Sequence, residues 1–587
     1  MDWGYLRLPR QFLRLFLLFA VCARLFAQTG AAPELLRSES QAGRRGGRLS
    51  MAVRAEPKTF NPVLVIDQSS NLVFGRIMAD LIHINRGSLK TEPSLARSWT
   101  VSPDGRQITL ELRKGIRFSD GVAFDADDVL FSFRVYEDEK TQSPQRTLLM
   151  VAGRPIEVEK INPWRVRFSF AAPYAVAERV FDHLAMLPRH LLEKEYEAGR
   201  IGQTWNLNTS PEKIAGLGPF RLKQFVPGER TVLERNPYYW KMDSKGVQLP
   251  YLDELSFLFV PSQDAEVVRF RAGDTQITGG LSADNFAALL RDQREAGLKL
   301  VDAGPGLDYN FLLFNLNSNL EGRLPEVARR QKWFSDVRFR QAISAAIDRA
   351  AIVRLVYQSR ATALATHVTP AYKLWIDNAI SVTQRSTEAA KQLLRQAGFS
   401  WKPEGTLVDA SGQPVEFSIL VSSSNGQRMK TAALLQDDLK QLGMNVSVAS
   451  MEFRSMLDRI TASHNFDTAL MALSGGDADP NPSMALLTSG GQNHFWRMAE
   501  DKPATTWQAE LDRLLEQQLV TMNYRRRREL YDRVQRIVAE QLPIVALASP
   551  HVLVGAKEGL GNFHPAVLED YTLWNAEELF WAAPGGK

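Results

Sequence analysis

Residues 112–121 have the sequence LRKGIRFSDG, and residues 124–129 have the sequence FDADDV. The first run continues a segment, 108–112, in which apolar and polar residues alternate as they do in a half-buried strand. Asp104-Gly105 before that segment predicts a hairpin turn. In the second run, Asp125 can cap a helix over 125–135, because its carboxylate accepts hydrogen bonds from free backbone N–H groups. The stretch therefore predicts a hairpin strand that leads through a loop into a helix.

The second half of the chain adds helices to this pattern. Apolar residues recur at helical spacing over 337–355, 388–397 and 510–542. A helix over 432–442 lies between two predicted strands, 417–421 and 445–449. A strand–helix–strand unit of this kind predicts that its two strands pair in parallel. The chain is therefore predicted to have an α/β fold with mixed sheets flanked by helices.

The length of the chain indicates several lobes. Its 587 residues are too many for one compact core. Hydrophobic residues make up 44% and charged residues 23%, which is typical of a globular protein. No uninterrupted apolar run reaches the roughly 18–20 residues of a membrane span.

The N-terminus resembles a secretory signal. Arg7, Arg10 and Arg14 precede a short apolar segment, and we expect cleavage after Ala27. An uncleaved anchor is the alternative. Cys22, the single cysteine, lies inside this signal, and Val21 before it is larger than a lipid-attachment site prefers, so a lipid anchor is the less favoured prediction. Residues 28–45 are polar and predict a flexible leader, with order beginning at Leu49.

The charge of the chain excludes one class of partner. Residues 1–27 hold four Arg and one Asp, so their removal leaves 67 basic and 65 acidic residues. The chain has no basic stripe interleaved with aromatic residues. We therefore expect no binding to nucleic acid.

Motifs for catalysis or metal binding are missing from the sequence. It has no G-x-S-x-G elbow, and its eight histidines are scattered without metal-ligand spacing. Gly216-Leu217-Gly218-Pro219 is followed by no G-K-[ST], so we expect a tight backbone turn there and no phosphate loop. The basic cluster 525–528 is interpreted as a solvated helix face. We expect no enzyme activity, no metal site and no cofactor.

One loop is a candidate for ligand binding. Residues 474–482, SGGDADPNP, follow an apolar strand over 469–473. Asp477 and Asp479 at its tip can contact a ligand ammonium, a charge-assisted interaction that is strong inside a cleft. The alternative is an ordinary turn with solvated acids.

Ordered motifs over about 46–580 resemble the family 5 extracellular solute-binding proteins, the dipeptide, oligopeptide and nickel receptors of bacterial ABC importers. The run over 112–129 is the most specific of them. The other matching segments are 46–49, 55–62, 93–99, 216–220, 235–240, 334–349, 531–543 and 573–575.

The resemblance implies a two-lobed, periplasmic-binding-protein-like fold with an extra inserted domain and a cleft between the lobes. Domain I is expected to be discontinuous, over 46–92, 207–305 and 541–587. Domain II is expected over 93–206 and domain III over 306–540. The two crossovers between domains I and III are expected to act as a hinge. The implied protein is a periplasmic monomer that delivers its ligand to a membrane ABC permease.

In peptide-binding members of the family, an Asp of the late loop meets the amino terminus of the peptide. The matching position here is Gly476, and the nearest acids are Asp477 and Asp479. Leu473 stands where members often carry a Trp. The other cleft candidates that the resemblance implies are Asp67, Tyr309, Asn310, Ser423, Asn425 and Trp496.

A peptide or peptide-like ligand is the resulting prediction. The alternatives are another small solute, such as a modified peptide, an opine-like amine or a chelated metal, and a secreted hydrolase. A receptor that signals to a sensor is a further alternative.

Overall fold

The computed structural model describes residues 33–582, apart from His183, Asn319, Gly476, Ala478, Ala499 and Asp501. The predicted signal over 1–27, with Cys22, and the candidate Gly476 lie outside the described residues. Within the described part, no helix is both long and apolar enough to span a bilayer.

The strands of the described residues are β1 (Leu36–Arg37), β2 (Arg48–Val53), β3 (Ile82–Ile84), β4 (Thr91–Pro93), β5 (Ala96–Val101), β6 (Gln107–Leu112), β7 (Met150–Val151), β8 (Arg154–Pro155), β9 (Glu157–Asn162), β10 (Arg165–Ser169), β11 (Phe220–Val226), β12 (Arg230–Arg235), β13 (Lys241–Met242), β14 (Glu254–Phe259), β15 (Ile277–Thr278), β16 (Leu298–Pro305), β17 (Tyr309–Phe314), β18 (Ala361–Ala363), β19 (Ser400–Trp401), β20 (Leu407–Val408), β21 (Glu416–Ser422), β22 (Asn445–Met451), β23 (Thr468–Leu473), β24 (Ile544–Lys557), β25 (Leu560–Gly561) and β26 (Phe580–Trp581). The α-helices are α1 (Gln68–Ile77), α2 (Ala126–Glu137), α3 (Arg189–Glu197), α4 (Gln263–Ala272), α5 (Ala283–Arg291), α6 (Pro325–Ser335), α7 (Val337–Ala346), α8 (Arg349–Ala351), α9 (Thr387–Gln396), α10 (Gly426–Lys440), α11 (Phe453–Asp458), α12 (Met484–Leu487), α13 (Thr506–Leu519) and α14 (Tyr524–Gln541).

One mixed sheet runs through both halves of the molecule. Its strand order is β11-β12-β14-β2-β15-β24-β17-β23-β21-β22, and β16 and β18 also pair with β24. The C-terminal part of β24 pairs with β15 and β16, whereas its N-terminal part pairs with β17 and β18. We name the β11–β16 side, together with the small sheet described next, the first lobe, and the β17–β23 side the second lobe.

The quoted stretch lies in a separate small sheet of order β5-β6-β10-β9. Strands β5 and β6 form the antiparallel hairpin predicted around Asp104-Gly105. Asp125 caps α2, and Asp128 completes a reciprocal capping box with it. Phe118 and Val129 are fully buried, so the strand, loop and helix close over one apolar core.

Burial divides the chain into two main cores. The first contains residues of the first lobe, including the small sheet, and the second is built around β17, β21, β23 and the helices near them. Ile84 and Leu89 are exceptions, because they come from the first lobe and are buried in the core of the second. The predicted parallel pairing of β21 and β22 around α10 is confirmed.

The glycines of 216–218 allow a close backbone approach. A Cβ added to Gly218 would lie 2.6 Å from the carbonyl oxygen of Arg76, and one on Gly216 would lie 2.1 Å from that of Ile77. The end of α1 therefore packs directly on this segment, which then enters β11.

Three predictions of local structure need correction. Part of the predicted flexible leader is paired, because β1 aligns with β13 before Leu49 is reached. The single helical region predicted over 510–542 is two helices, α13 and α14, separated at 520–523. The N-terminal half of β24 pairs within the second lobe, so the last crossover falls inside this strand and not at 541.

Candidate functional site

A cavity of about 670 Å³ lies between the lobes. The first lobe supplies most of its lining, from the end of β2, the start of α1, residues 279–280 and residues 569–573, and the second lobe contributes Ser474. Asp308 on the connection from β16 to β17 completes it. Its volume falls within the range of about 300–1,000 Å³ that small-ligand sites occupy.

Carboxylates dominate the charge of this cavity. Its lining contains Asp67, Glu266, Asp308, Glu569 and Asp570, with Arg54 and Lys58 as the basic residues. Several acids already have a basic partner, since Glu266 pairs with Arg54 at 3.4 Å and Asp570 pairs with Arg76 at 3.0 Å.

Asp308, on the interlobe connection, and Glu569, of the first lobe, both line the cavity. Desolvation in the cleft raises the pKa of the Glu569 carboxyl, and the negative charges of Asp570 and Asp308 raise it further. The same three acids contribute to a raised pKa of Tyr571, after the larger effect of burial. A cation between these groups would relieve their repulsion.

Asp67 has a structural role as well as a place in the cavity. It caps α1 by accepting a hydrogen bond from the Ser70 backbone N–H at 3.0 Å, and its oxygens also accept from the Ser69 and Ser70 hydroxyls. Burial opposes ionisation, but these hydrogen bonds outweigh it and lower the pKa of Asp67. Asp67 is therefore an ionised cap whose remaining surface faces the cleft.

Asp479 is not available to a ligand, which corrects its assignment as a cleft acid. Its carboxylate is 4% exposed and receives both terminal guanidinium nitrogens of Arg527 at 2.7 Å. Arg527 also lies over the ring of Trp375. This pairing corrects the interpretation of the basic cluster 525–528 at one position, since Arg527 is buried. Arg525 and Arg526 are exposed and pair with Glu529, as predicted for a solvated helix face.

Asp477 reaches the other lobe. Its carboxylate oxygens receive Nε and Nη2 of Arg179, with Nε at 2.6 Å from Oδ2. Arg179 follows the small sheet of the first lobe, and both side chains are about one fifth exposed. The acid that was predicted to contact a ligand ammonium therefore contacts a guanidinium of the protein itself.

Tyr309 and Asn310 are buried at the start of β17. Tyr309 lines a separate cavity of about 50 Å³ inside the second lobe, with His367, Tyr372 and Tyr531. Asn310 donates to the Tyr357 hydroxyl at 3.2 Å and accepts from Arg428 Nε at 3.2 Å. Neither residue lines the large cavity, so both support the second lobe beneath it.

The remaining candidates lie outside the large cavity. Asn425 caps α10 by accepting from the Arg428 backbone N–H, and the Ser423 backbone N–H pairs with the Met451 carbonyl. Trp496 is fully buried against His494, with ring centroids 4.2 Å apart, so it is a core residue and not a stacking surface for a ligand.

One cluster in the described chain has the composition of a metal site, but its charges are already balanced. Asp80, His83 and Asp182 approach one another in the first lobe, and none of the three lines the large cavity. Burial alone would lower the pKa of His83, but Asp80 and Asp182 outweigh it and raise the pKa to about 9. Arg86 also pairs with Asp182 at 3.0 Å. The protonated His83 and the guanidinium of Arg86 thus supply the positive charge that a metal ion would bring to these two acids.

Asp308 and Glu569 were not among the candidates from the sequence, but both lie next to segments that the sequence analysis named. Asp308 directly precedes the candidate Tyr309, and only Thr572 separates 569–571 from the matching motif 573–575. No spacing rule connects these segments, because they are more than 260 residues apart and meet only through the crossover strands.

Comparison with known proteins identifies the family. The family model described as bacterial extracellular solute-binding proteins, family 5, middle part, matches residues 90–495. The chain belongs to this family. This membership confirms the resemblance and the two-lobed α/β fold predicted from the sequence.

The alignments with known relatives extend over most of this family 5 chain. It is 27% identical to a probable ABC transporter-binding protein of Deinococcus radiodurans, over 86% of this chain and 87% of the relative. It is 26% identical to di/tripeptide-binding protein 3 of Pseudomonas aeruginosa, over 86% and 90% respectively. The fold matches that of a Bacillus subtilis oligopeptide-binding protein solved with a nonapeptide, with a TM-score of 0.69, 23% identity and coverage of 92% and 100%.

Proposed function

We propose that this family 5 protein is an exported receptor that captures a peptide or peptide-like ligand in the interlobe cavity and delivers it to an ABC permease. The observation that carries the proposal is the 670 Å³ cavity, whose lining includes Asp308 and Glu569, close enough for their charges to interact. The relatives named for peptide binding support the same ligand class. Export as a monomer to the periplasm is part of the proposal.

The ligand's ammonium is proposed to lie between Asp308 and Glu569. Without it, the two carboxylates repel each other when the lobes are closed, and the charge of Asp308 adds to the rise in the pKa of Glu569 that desolvation and Asp570 cause. With it, both acids gain a charge-assisted contact that exists only in the closed form. A ligand stabilises closure only through such a difference between the two states.

The cavity favours a cationic peptide over the other solutes. No histidine is among the described lining residues, so the imidazole ligands that suit nickel and similar ions are not supplied there. Among its described residues, the lining also has no cysteine nucleophile and no histidine base of the kind that many hydrolases use. Whether the closed receptor serves transport or signalling depends on its membrane partner.

Titration calorimetry with trialanine and N-acetyl-trialanine tests the proposal. We expect trialanine to bind and the acetylated peptide, which lacks the ammonium, to bind at least about tenfold more weakly. Asp308→Asn and Glu569→Gln should each weaken trialanine binding by about tenfold. Glu516→Gln, an exposed acid on α13, is the matched control and should leave the affinity unchanged.

Two results would contradict the proposal. One is the absence of trialanine binding to folded protein. The other is equal affinity for the free and acetylated peptides, which would remove the ammonium from the site. Mass spectrometry of the natively purified protein would then identify the co-purified solute.

A further inference from the structure

The two acids of the loop 474–482 have partners in different lobes. Asp479 is paired inside the second lobe, whereas Asp477 is paired with Arg179 of the first lobe. The Arg179–Asp477 contact joins side chains 298 residues apart and uses two nitrogens of the guanidinium. Such a side-on pair fixes orientation as well as distance.

Further contacts surround this ion pair. The Ala175 backbone N–H donates to the Leu519 carbonyl at 2.8 Å, between the first lobe and the end of α13. A Cβ added to Gly105 would lie 2.5 Å from Met522 Sδ, so the hairpin turn of the small sheet is packed against the α13–α14 connection. Leu89, whose carbonyl lies 3.5 Å from Arg179 Nη1, is buried in the second core.

None of these residues lines the large cavity. They form a contact between the small sheet and the second lobe that is separate from the proposed ligand contacts. Opening the cleft by moving the small sheet away from the second lobe would break every contact in this group. The group therefore has two states, made and broken, that follow the conformation of the receptor.

We propose that Arg179 and Asp477 form an electrostatic clasp that favours the closed receptor without contacting the ligand. The clasp raises the closed fraction of the ligand-free protein, and apparent affinity rises with the fraction that is competent to bind. It also occupies the acid nearest to the family's ammonium position, so the ligand's ammonium is left to Asp308 and Glu569. The second consequence rests on the proposed function, whereas the first does not.

The closed fraction can be measured in the ligand-free, full-length protein. Spin labels are attached to cysteines introduced at the exposed Arg154 of the first lobe and Gln392 of the second, with Cys22 changed to Ser. We expect Arg179→Ala to move the distance distribution towards longer distances. The charge-swapped pair Arg179→Asp with Asp477→Arg should restore the short distance.

Arg200→Ala is the matched control. Arg200 pairs with Glu195 at 2.9 Å within the first lobe, on an exposed surface, and its loss should leave the distribution unchanged. A cooperative urea transition in every variant establishes that the variants are folded. If Arg179→Ala does not fold, Arg179→Gln replaces it and carries the same expectation.

Affinity for trialanine gives the second readout. The clasp predicts that Arg179→Ala weakens binding by about two- to fivefold, as expected for a partly exposed ion pair acting through the closed fraction. An unchanged distance distribution in Arg179→Ala would overturn the clasp. A gain in affinity would overturn it too, because it would show that Asp477 binds the ligand when Arg179 is removed. A failure of trialanine to bind any variant rejects the proposed ligand but leaves the distance measurement to decide the clasp.

Discussion

Asp477 and Asp479 are two residues apart on one loop, yet Asp479 forms a buried ion pair and Asp477 a partly exposed one. The carboxylate of Asp479 is almost fully buried with Arg527, within one lobe. Asp477 is about one fifth exposed and bridges two lobes through Arg179. A buried pair is costly to break, because the remaining charge has no water to solvate it. A partly exposed pair contributes little to stability but can still bias a conformational equilibrium of similarly small free energy.

The largest expected effect is the loss of the buried pair. Asp479→Ala should lower the free energy of unfolding by about 3–5 kcal/mol, because it leaves the Arg527 guanidinium buried without its carboxylate. Asp477→Ala should lower it by less than about 1 kcal/mol. Urea unfolding of both variants measures this difference directly.

The double variant Asp479→Leu with Arg527→Met is the control for that experiment. It removes both charges and should recover most of the lost stability, since an apolar pair avoids the desolvation cost. Equal destabilisation by the two single alanine variants would contradict the contrast between the two acids.

A smaller effect is expected from the charge cluster in the first lobe. The pKa of His83 is raised to about 9, from about 6.5 in the unfolded chain. Its stabilising contribution is therefore complete below pH 6.5 and is lost as the pH rises through 9. We expect a loss of about 2 kcal/mol over that window, given about 1.4 kcal/mol per pKa unit and partial screening.

His83→Gln is the control for the pH experiment. Its free energy of unfolding should change less between pH 6.5 and 9.5 than that of the parent protein. A parallel pH dependence of the two proteins would show that His83 is not the titrating group.

The smallest expected effect is that of salt. Raising NaCl from 0.05 to 1 M shortens the screening length from above 10 Å to about 3 Å, which weakens the exposed clasp more than the buried pair. The parent protein should therefore open in the spin-label experiment, while the contribution of the buried Asp479–Arg527 pair to its urea midpoint should hardly change with salt. Salt-induced opening of equal size in Arg179→Ala would assign the effect to other charges.

Local sequence patterns predicted the helices and strands better than they predicted the ligand site. The hairpin at Asp104-Gly105, the cap at Asp125 and the parallel strands around α10 each depend on residues close in sequence, and the structure contains all three. The break between α13 and α14 was missed, since apolar spacing continues across it. The pairing of β1 with β13 was missed because it depends on the backbone of a strand about 200 residues away, and the polar composition of the segment does not reveal it.

The site depended on distant partners. From sequence, Asp477 and Asp479 were equal candidates for contact with a ligand ammonium, and the basic cluster 525–528 was interpreted as a solvated helix face. Their roles differ because the fold brings two distant residues to the loop. Arg527, 48 residues from Asp479, pairs with that acid, and Arg179, 298 residues from Asp477, pairs with the other. Trp496 and Asn425 were placed near the cleft by family position, but Trp496 is fully buried and neither residue lines the large cavity.

The sequence alone therefore determined the family, the two-lobed α/β architecture and the absence of recognisable catalytic motifs. These follow from short motifs and periodicities, in which every residue acts on near neighbours. The tertiary structure decided which acids face the cavity and which are neutralised inside the protein. This distinction exists only in the folded chain, because the energy of a charge depends on its burial and on its partners, and the crossover strands bring those partners together.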